Sequence, residues 1–174
     1  MAITLDGNNL TTSGLLNYLP VQNTTSGTSV NFSGIPSTAK RVTLVLNSVS
    51  TNGTSSIRIS FGTASGLATS GYSWTSSYAY QGSTFNEGYT SSGFDVVGWT
   101  SAANTFSGAL IFYNVVGTNT WISPGCQLIN DAYTTYWLGF AGRVALSASL
   151  SQISITTVGG SDSLDNGSAI VYYE

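Results

Sequence analysis

The chain has 174 residues, enough for one domain with an arm, and 6% of them are charged against 41% hydrophobic and 12% aromatic. Four basic residues, a net charge of −3 and a pI near 4.5 leave no cationic face for nucleic acid. The absence of histidine removes Ser-His-Asp and Cys-His nucleophilic chemistry, and the single cysteine permits no intrachain disulfide and no zinc ligand set.

The polar half of the chain is built from Ser, Thr and Asn, with 20 Gly, so its surface is hydrated through hydroxyls and amides rather than charges. Disordered chains lack aromatic and β-branched residues and carry more charge. A folded extracellular or particle-surface protein is therefore expected. The longest apolar run, Ala109–Tyr113, has the length of a strand buried on both faces, not of a membrane-spanning helix, so membrane insertion is not expected. The opening MAITLDGNN lacks the basic n-region of a secretory signal. Release of a particle by lysis would bring such a chain outside the cell.

Residues 1–27 differ from the rest. Ala2-Ile3-Thr4-Leu5 predicts a short strand closed by Asp6-Gly7, and Leu10, Leu15, Leu16, Tyr18 and Leu19 run up to Pro20 at a spacing that allows one or two helical turns. Residues 22–27 are polar and linker-like. The expectation is an anchoring arm that buries its leucines against another protein or organises an oligomer. Folding back onto its own domain is the alternative.

From residue 28 the chain reads as strand and turn. Ser29–Ser33 alternates through Val30 and Phe32. Ile35–Ser55 carries the clearest local signal: Pro36 in a lead-in turn, Lys40-Arg41, then Val42, Leu44 and Leu46 alternating with Thr43, Val45 and Asn47, and the Asn52-Gly53 turn pair that tolerates φ > 0. With Ile57, Ile59 and Phe61 continuing the period, a β-hairpin with a long first strand is expected. Lys40 and Arg41 are expected to bridge to Asp162, Asp165 or Glu174. Residues 62–71 read as small and flexible, and 72–89 as an aromatic, loop-rich stretch. Further strands are expected over 94–99, 105–116, 119–123, 134–140, 143–150, 152–158 and 169–173. Ten or so short strands without a convincing helix predict an all-β, antiparallel sandwich of the jelly-roll type over residues 28–174.

Carboxylates are the remaining chemistry. Glu87 with Asp95 or Asp131 would have to meet within about 5–9.5 Å for glycoside hydrolysis, and nothing in the sequence brings them together; solvated carboxylates and no catalytic residue are expected. Asp162-Ser-Leu-Asp165-Asn166-Gly167 offers hard oxygen ligands but lacks the spacing of the twelve-residue calcium loop. An Asx-type turn accounts for it as well. No metal and no cofactor is expected. Trp74, Tyr78 and Tyr80 offer flat rings to sugar faces, with Gln81, Asn86 and Glu87 to take hydroxyls; the competing reading puts half of these rings in the core or a subunit interface. Cys126 reads as a small buried hydrophobe.

Two stretches carry a resemblance. The first is Ser26-Gly-Thr-Ser-Val-Asn-Phe-Ser-Gly-Ile-Pro-Ser37 with Lys40-Arg41-Val-Thr-Leu and Val49-Ser-Thr-Asn-Gly-Thr54. The second is Leu150, Ile153-Ser-Ile-Thr-Thr-Val158, Gly160-Ser-Asp162, and Asp165 through Gly167-Ser-Ala-Ile to Tyr173-Glu174. Together with MAITLDG they resemble tail-fibre proteins of tailed bacteriophages, over most of residues 26–174, with 64–104 the least familiar part. Thr38-Ala39 departs from the larger residue usual before the Lys-Arg pair. The resemblance implies a virion structural β-domain, commonly trimeric, near the host-contacting part of the particle, and no enzyme. The expected function is a tail fibre or fibre-tip component that attaches to the host, self-associates as a homotrimer, docks to other virion proteins through its arm and meets a host surface glycan. A capsid decoration or cement protein is the alternative, and a free-standing lectin a third.

Overall fold

The computed structural model describes residues 16–80, 83–89, 92–96, 101–130 and 136–174. Among them there is no helix: fourteen strands form two antiparallel sheets that pack face to face as a β-sandwich. In chain order they are β1 (Asn17–Tyr18), β2 (Gln22–Asn23), β3 (Ser29–Ser33), β4 (Arg41–Thr51), β5 (Ile57–Thr63), β6 (Gly66–Leu67), β7 (Tyr72–Tyr80), β8 (Ser83–Tyr89), β9 (Phe94–Val96), β10 (Phe106–Asn114), β11 (Thr120–Asn130), β12 (Tyr136–Ala145), β13 (Gln152–Thr157) and β14 (Leu164–Tyr173). The larger sheet runs β1-β14-β4-β10-β11-β12-β7-β8, with β2 also on β14. The smaller runs β3-β13-β5-β6, with β9 also on β5.

The two-residue period decides which side chains meet between the sheets. On β4, Val42, Leu44 and Leu46 are buried while Arg41, Thr43 and Val45 are half-buried on the other face. Ala109–Tyr113 does not go under on both faces as expected: Leu110 and Phe112 point inward, and Tyr113 is exposed. Phe61 of β5 and Phe94 of β9 reach from the smaller sheet into rings of the larger. Phe61 sits 4.7 Å from Phe112 and 6.3 Å from Trp121, and Phe94 lies 4.9 Å from Tyr72 and 5.3 Å from Phe140, all near edge-to-face. Such pairs add ~0.5–1.5 kcal/mol each beyond the apolar area they bury.

The expected hairpin over 41–61 does not form. β4 and β5 lie in different sheets, because both edges of β4 are taken, by β14 and β10, and β5 pairs with β13 instead. The Asn52-Gly53 bend carries the chain across the sandwich, and Gly53 does not use the left-handed region expected of it. Its lack of a side chain admits the Asp162 carboxylate, which would lie 2.3 Å from a Cβ there.

Other boundaries shift too. Residues 72–89 form a regular hairpin, β7 with β8, rather than loop. Residues 63–66 make a tight β5–β6 turn. The strand expected over 143–150 stops at Ala145. From residue 16 the expected arm lies along its own domain: Asn17–Tyr18 and Gln22–Asn23 pair with β14, and the Thr24 hydroxyl donates to the Asn166 carbonyl at 2.7 Å. Leu19 packs on the core and its N–H donates to the Val171 carbonyl, whereas Leu16 and Tyr18 stay exposed. Leu10 and Leu15 lie outside the described residues.

Ser48 sits in the left-handed region, φ 53°, where β4 bulges between its two neighbours. The Ser107 hydroxyl accepts its N–H at 2.9 Å, and the Asn166 side-chain amide donates to its carbonyl at 3.0 Å. Gly167, φ 90°, presses on the same bulge: a Cβ there would lie 2.4 Å from the Asn47 and Ser48 carbonyl oxygens. Gly117, φ 81°, faces open space. Gly167→Ala is therefore expected to cost more than Gly117→Ala, by at least about 1 kcal/mol beyond the shared left-handed strain, as read from urea unfolding midpoints.

Candidate functional site

Strand register sorts the candidate residues between two ends of the sandwich. At one end β4 and β11 begin and β10, β12 and β14 finish; Lys40 is there. At the other β4 and β7 finish and β8 and β14 begin; Asp162 is there.

Arg41 meets one of its three expected partners. Its Nε lies 2.9 Å from Glu174 Oε1, and the Lys40 and Arg41 N–H groups both donate to the Glu174 carbonyl. Asp162 and Asp165 are not partners of the basic pair, because β14 spans about 30 Å between its first and last residues. Lys40 forms no ion pair with any carboxylate among the described residues.

Asp162 instead clasps the chain crossing. Its Oδ2 accepts the Ser55 N–H at 2.7 Å, Asn52 and Ser163 exchange two bonds of 2.9 Å, and Asp165 Oδ1 accepts the Ser50 hydroxyl. Hydrogen bonds from the Ser55 hydroxyl, and then from backbone N–H groups of Ser55 and Thr54, hold the Asp162 carboxyl below its ordinary range. These oxygens are committed to backbone and hydroxyl donors. Among the described residues no three His, Cys, Asp or Glu side chains gather as metal ligands do.

The aromatic stretch divides. Trp74 is buried, 6.4 Å from the Phe140 ring in a stacked pair, so it is a core ring and not a sugar platform. Tyr72 is buried as well. Its hydroxyl donates to the Phe61 carbonyl at 3.1 Å and accepts the Phe61 N–H at 2.7 Å, and burial pushes the phenol up to about 12. Tyr78 pairs with Phe85, Tyr80 with Ser83, Asn86 with Ser77 and Glu87 with Ser76 along the hairpin. Gln81 lies outside the described residues, as does Asp131. Asp95 is not free for hydrolytic chemistry: Arg58 grips it with two bonds, 2.6 and 2.9 Å, and its third donor reaches Ser92. That pair raises the Arg58 pKa. It was not foreseen, and its only signal was that Arg58 is one of four basic residues in the chain.

The Lys40 end holds a feature that no linear motif announces. The turn before β4, the β10–β11 turn and the β12–β13 loop surround a half-open cavity of about 220 Å³. Lys40, Asn114, Thr118, Asn119, Trp121 and Ser149 are among its walls. Backbone bonds tie the loops together: Asn114 N–H to the Lys40 carbonyl at 2.8 Å, Leu146 N–H to the Asn119 carbonyl at 3.0 Å, and Thr118 N–H to the Val115 carbonyl at 3.0 Å. The Asn114 side-chain amide fixes the turn further by donating to the Thr118 and Thr120 carbonyls. The walls are preorganised.

No family model, curated protein or solved structure matches the chain.

Asp162 has a depressed folded-state pKa, so its contribution is present above the unfolded value of about 3.9 and is lost as pH falls through the lower, folded one. Melting temperature followed from pH 5 to pH 2 is expected to fall more steeply for the parent chain than for Asp162→Asn, whose side chain does not titrate.

Proposed function

We propose that the chain is a non-enzymatic structural protein of a tailed-phage virion, a tail-fibre or fibre-tip component that contacts the host surface and assembles as a homo-oligomer, a trimer in the simplest case. One observation carries this reading. The two stretches that resemble phage fibre proteins, within residues 26–54 and 150–174, lie against each other: β3 pairs with β13, β4 pairs with β14, and Gly53 admits the Asp162 carboxylate. The resemblance thus falls on one contiguous unit rather than on scattered turns. Residues 64–104, the part least like the family, include β7 and β8 at the far edge of the larger sheet, and loops on a rigid scaffold are where recognition belongs.

The surface supports self-association. The outer face of the larger sheet presents Tyr18, Tyr113 and Ile122, 65%, 45% and 41% exposed, in a chain whose low charge offers little repulsion between copies.

Purified protein is expected to block adsorption of the parent phage to its host, and an antibody against it to label the tail. Label on the head with unimpaired adsorption would overturn this reading in favour of a capsid cement protein.

A further inference from the structure

We propose that Asn52 is a site of spontaneous modification: the Gly53 amide nitrogen attacks the Asn52 side chain, ammonia leaves, and a carboxylate replaces the amide. The proposal stands on the bend between the two sheets and does not need the virion reading.

The chain has two Asn-Gly pairs, at 52–53 and 166–167. Glycine has no Cβ to hinder the approach of its own nitrogen to the preceding side chain, so the sequence alone makes both pairs reactive. The fold separates them.

Asn52 is exposed in the bend between β4 and β5, outside any strand. The nucleophile is unengaged, because the Gly53 N–H donates to no acceptor among the described residues. Nor does the leaving group, Asn52 Nδ2, meet an acceptor among them. The engaged atom is Asn52 Oδ1, which accepts the Ser163 N–H at 2.9 Å. A donor on that oxygen polarises the amide carbon and meets the negative charge that develops there during attack.

Asn166 is the contrast. It lies inside β14, with Leu164 and Ser168 on either side of it paired to β4. Its Nδ2 donates to the Ser48 carbonyl at 3.0 Å, which holds the leaving group in place. Its own carbonyl accepts the Thr24 hydroxyl, and Gly167 is pressed against the Asn47 and Ser48 carbonyls. Closing a ring there would break the side-chain bond and pull on the ladder. At Asn52 no strand pairing opposes the movement.

The step balances with water alone. The Gly53 nitrogen gives its proton to solvent and bonds to Asn52 Cγ; the Cγ–Nδ2 bond breaks, and the nitrogen departs as ammonia with a proton from water. Water then opens the cyclic imide at one of its two carbonyls. Opening at Cγ gives aspartate, and opening at the backbone carbonyl gives isoaspartate, with one extra carbon in the main chain. Either product loosens the crossing. The Asp162 carboxylate already fills the space beside Gly53, so a new carboxylate at position 52 meets a like charge. The extra carbon displaces the paired Asn52–Ser163 bonds.

Ageing the folded protein at mildly alkaline pH and 37 °C, with peptide mapping by mass spectrometry, tests the assignment. Conversion at Asn52 is expected to be at least about tenfold faster than at Asn166, and the two are expected to convert at similar rates in urea, where the fold no longer separates them. Asn52→Gln, whose longer side chain disfavours ring closure, is expected to keep its melting temperature on ageing while that of the parent falls by several degrees. A fresh variant melting within a degree or two of the fresh parent shows that it folds. Conversion at Asn166 as fast as at Asn52, or an Asn52 that stays intact while the urea-unfolded chain converts, would overturn the site. Conversion at Asn52 with an unchanged melting temperature would overturn its effect on the crossing.

Discussion

β14 lies against β4 from Leu164 opposite Thr51 to Tyr173 opposite Val42, and this pairing brings the ten residues of β14 across to a strand more than a hundred positions earlier. On its other edge β4 holds β10, so it sits inside the larger sheet with a neighbour on both edges. Its four inward residues, Val42, Leu44, Leu46 and Val49, are 0–1% exposed, each contributing about 1.5–3 kcal/mol of apolar burial. Closing so long a loop costs entropy that grows only slowly with its length. The bulge at Ser48, the Gly167 contact and the Asp162 clasp fix the register, since a slip of one residue would turn the buried row of β4 to solvent.

A division of labour follows. β3, β4 and β5 come from one part of the chain and β13 and β14 from its other end, and together they supply one side of the larger sheet and the centre of the smaller. The intervening strands β7, β8, β10, β11 and β12 extend the larger sheet away from that unit. Phe61 and Phe94 weld the halves by inserting into the rings of Phe112, Phe140 and Tyr72. Loops at both ends are then free to differ without disturbing the scaffold.

Local pattern carried much of this fold. The alternation of Val30 with Phe32, of Val42 with Leu44 and Leu46, and of Ile153 with Ile155 marks buried faces that the structure confirms. Pairing was less legible, because periodicity says which face is buried and not which strand lies alongside. Asn52-Gly53 therefore promised a hairpin where the chain changes sheets. The same limit concealed Trp74: among Ser, Thr and Gly it reads as loop, although its spacing from Tyr72 and Ser76 is that of one inward face. The cavity was beyond reach of any linear reading, since Lys40, Asn119 and Ser149 come from three separate connections.

The central claim is that the two ends of the chain form one cooperative scaffold on which the middle is built. Native-state amide exchange resolves it residue by residue. The amides of β4, β5, β13 and β14 are expected to exchange slowest and together, at the free energy of global unfolding, with β7 and β8 opening earlier. Slowest exchange in β7 and β8, with β14 released from β4 at lower cost, would contradict it.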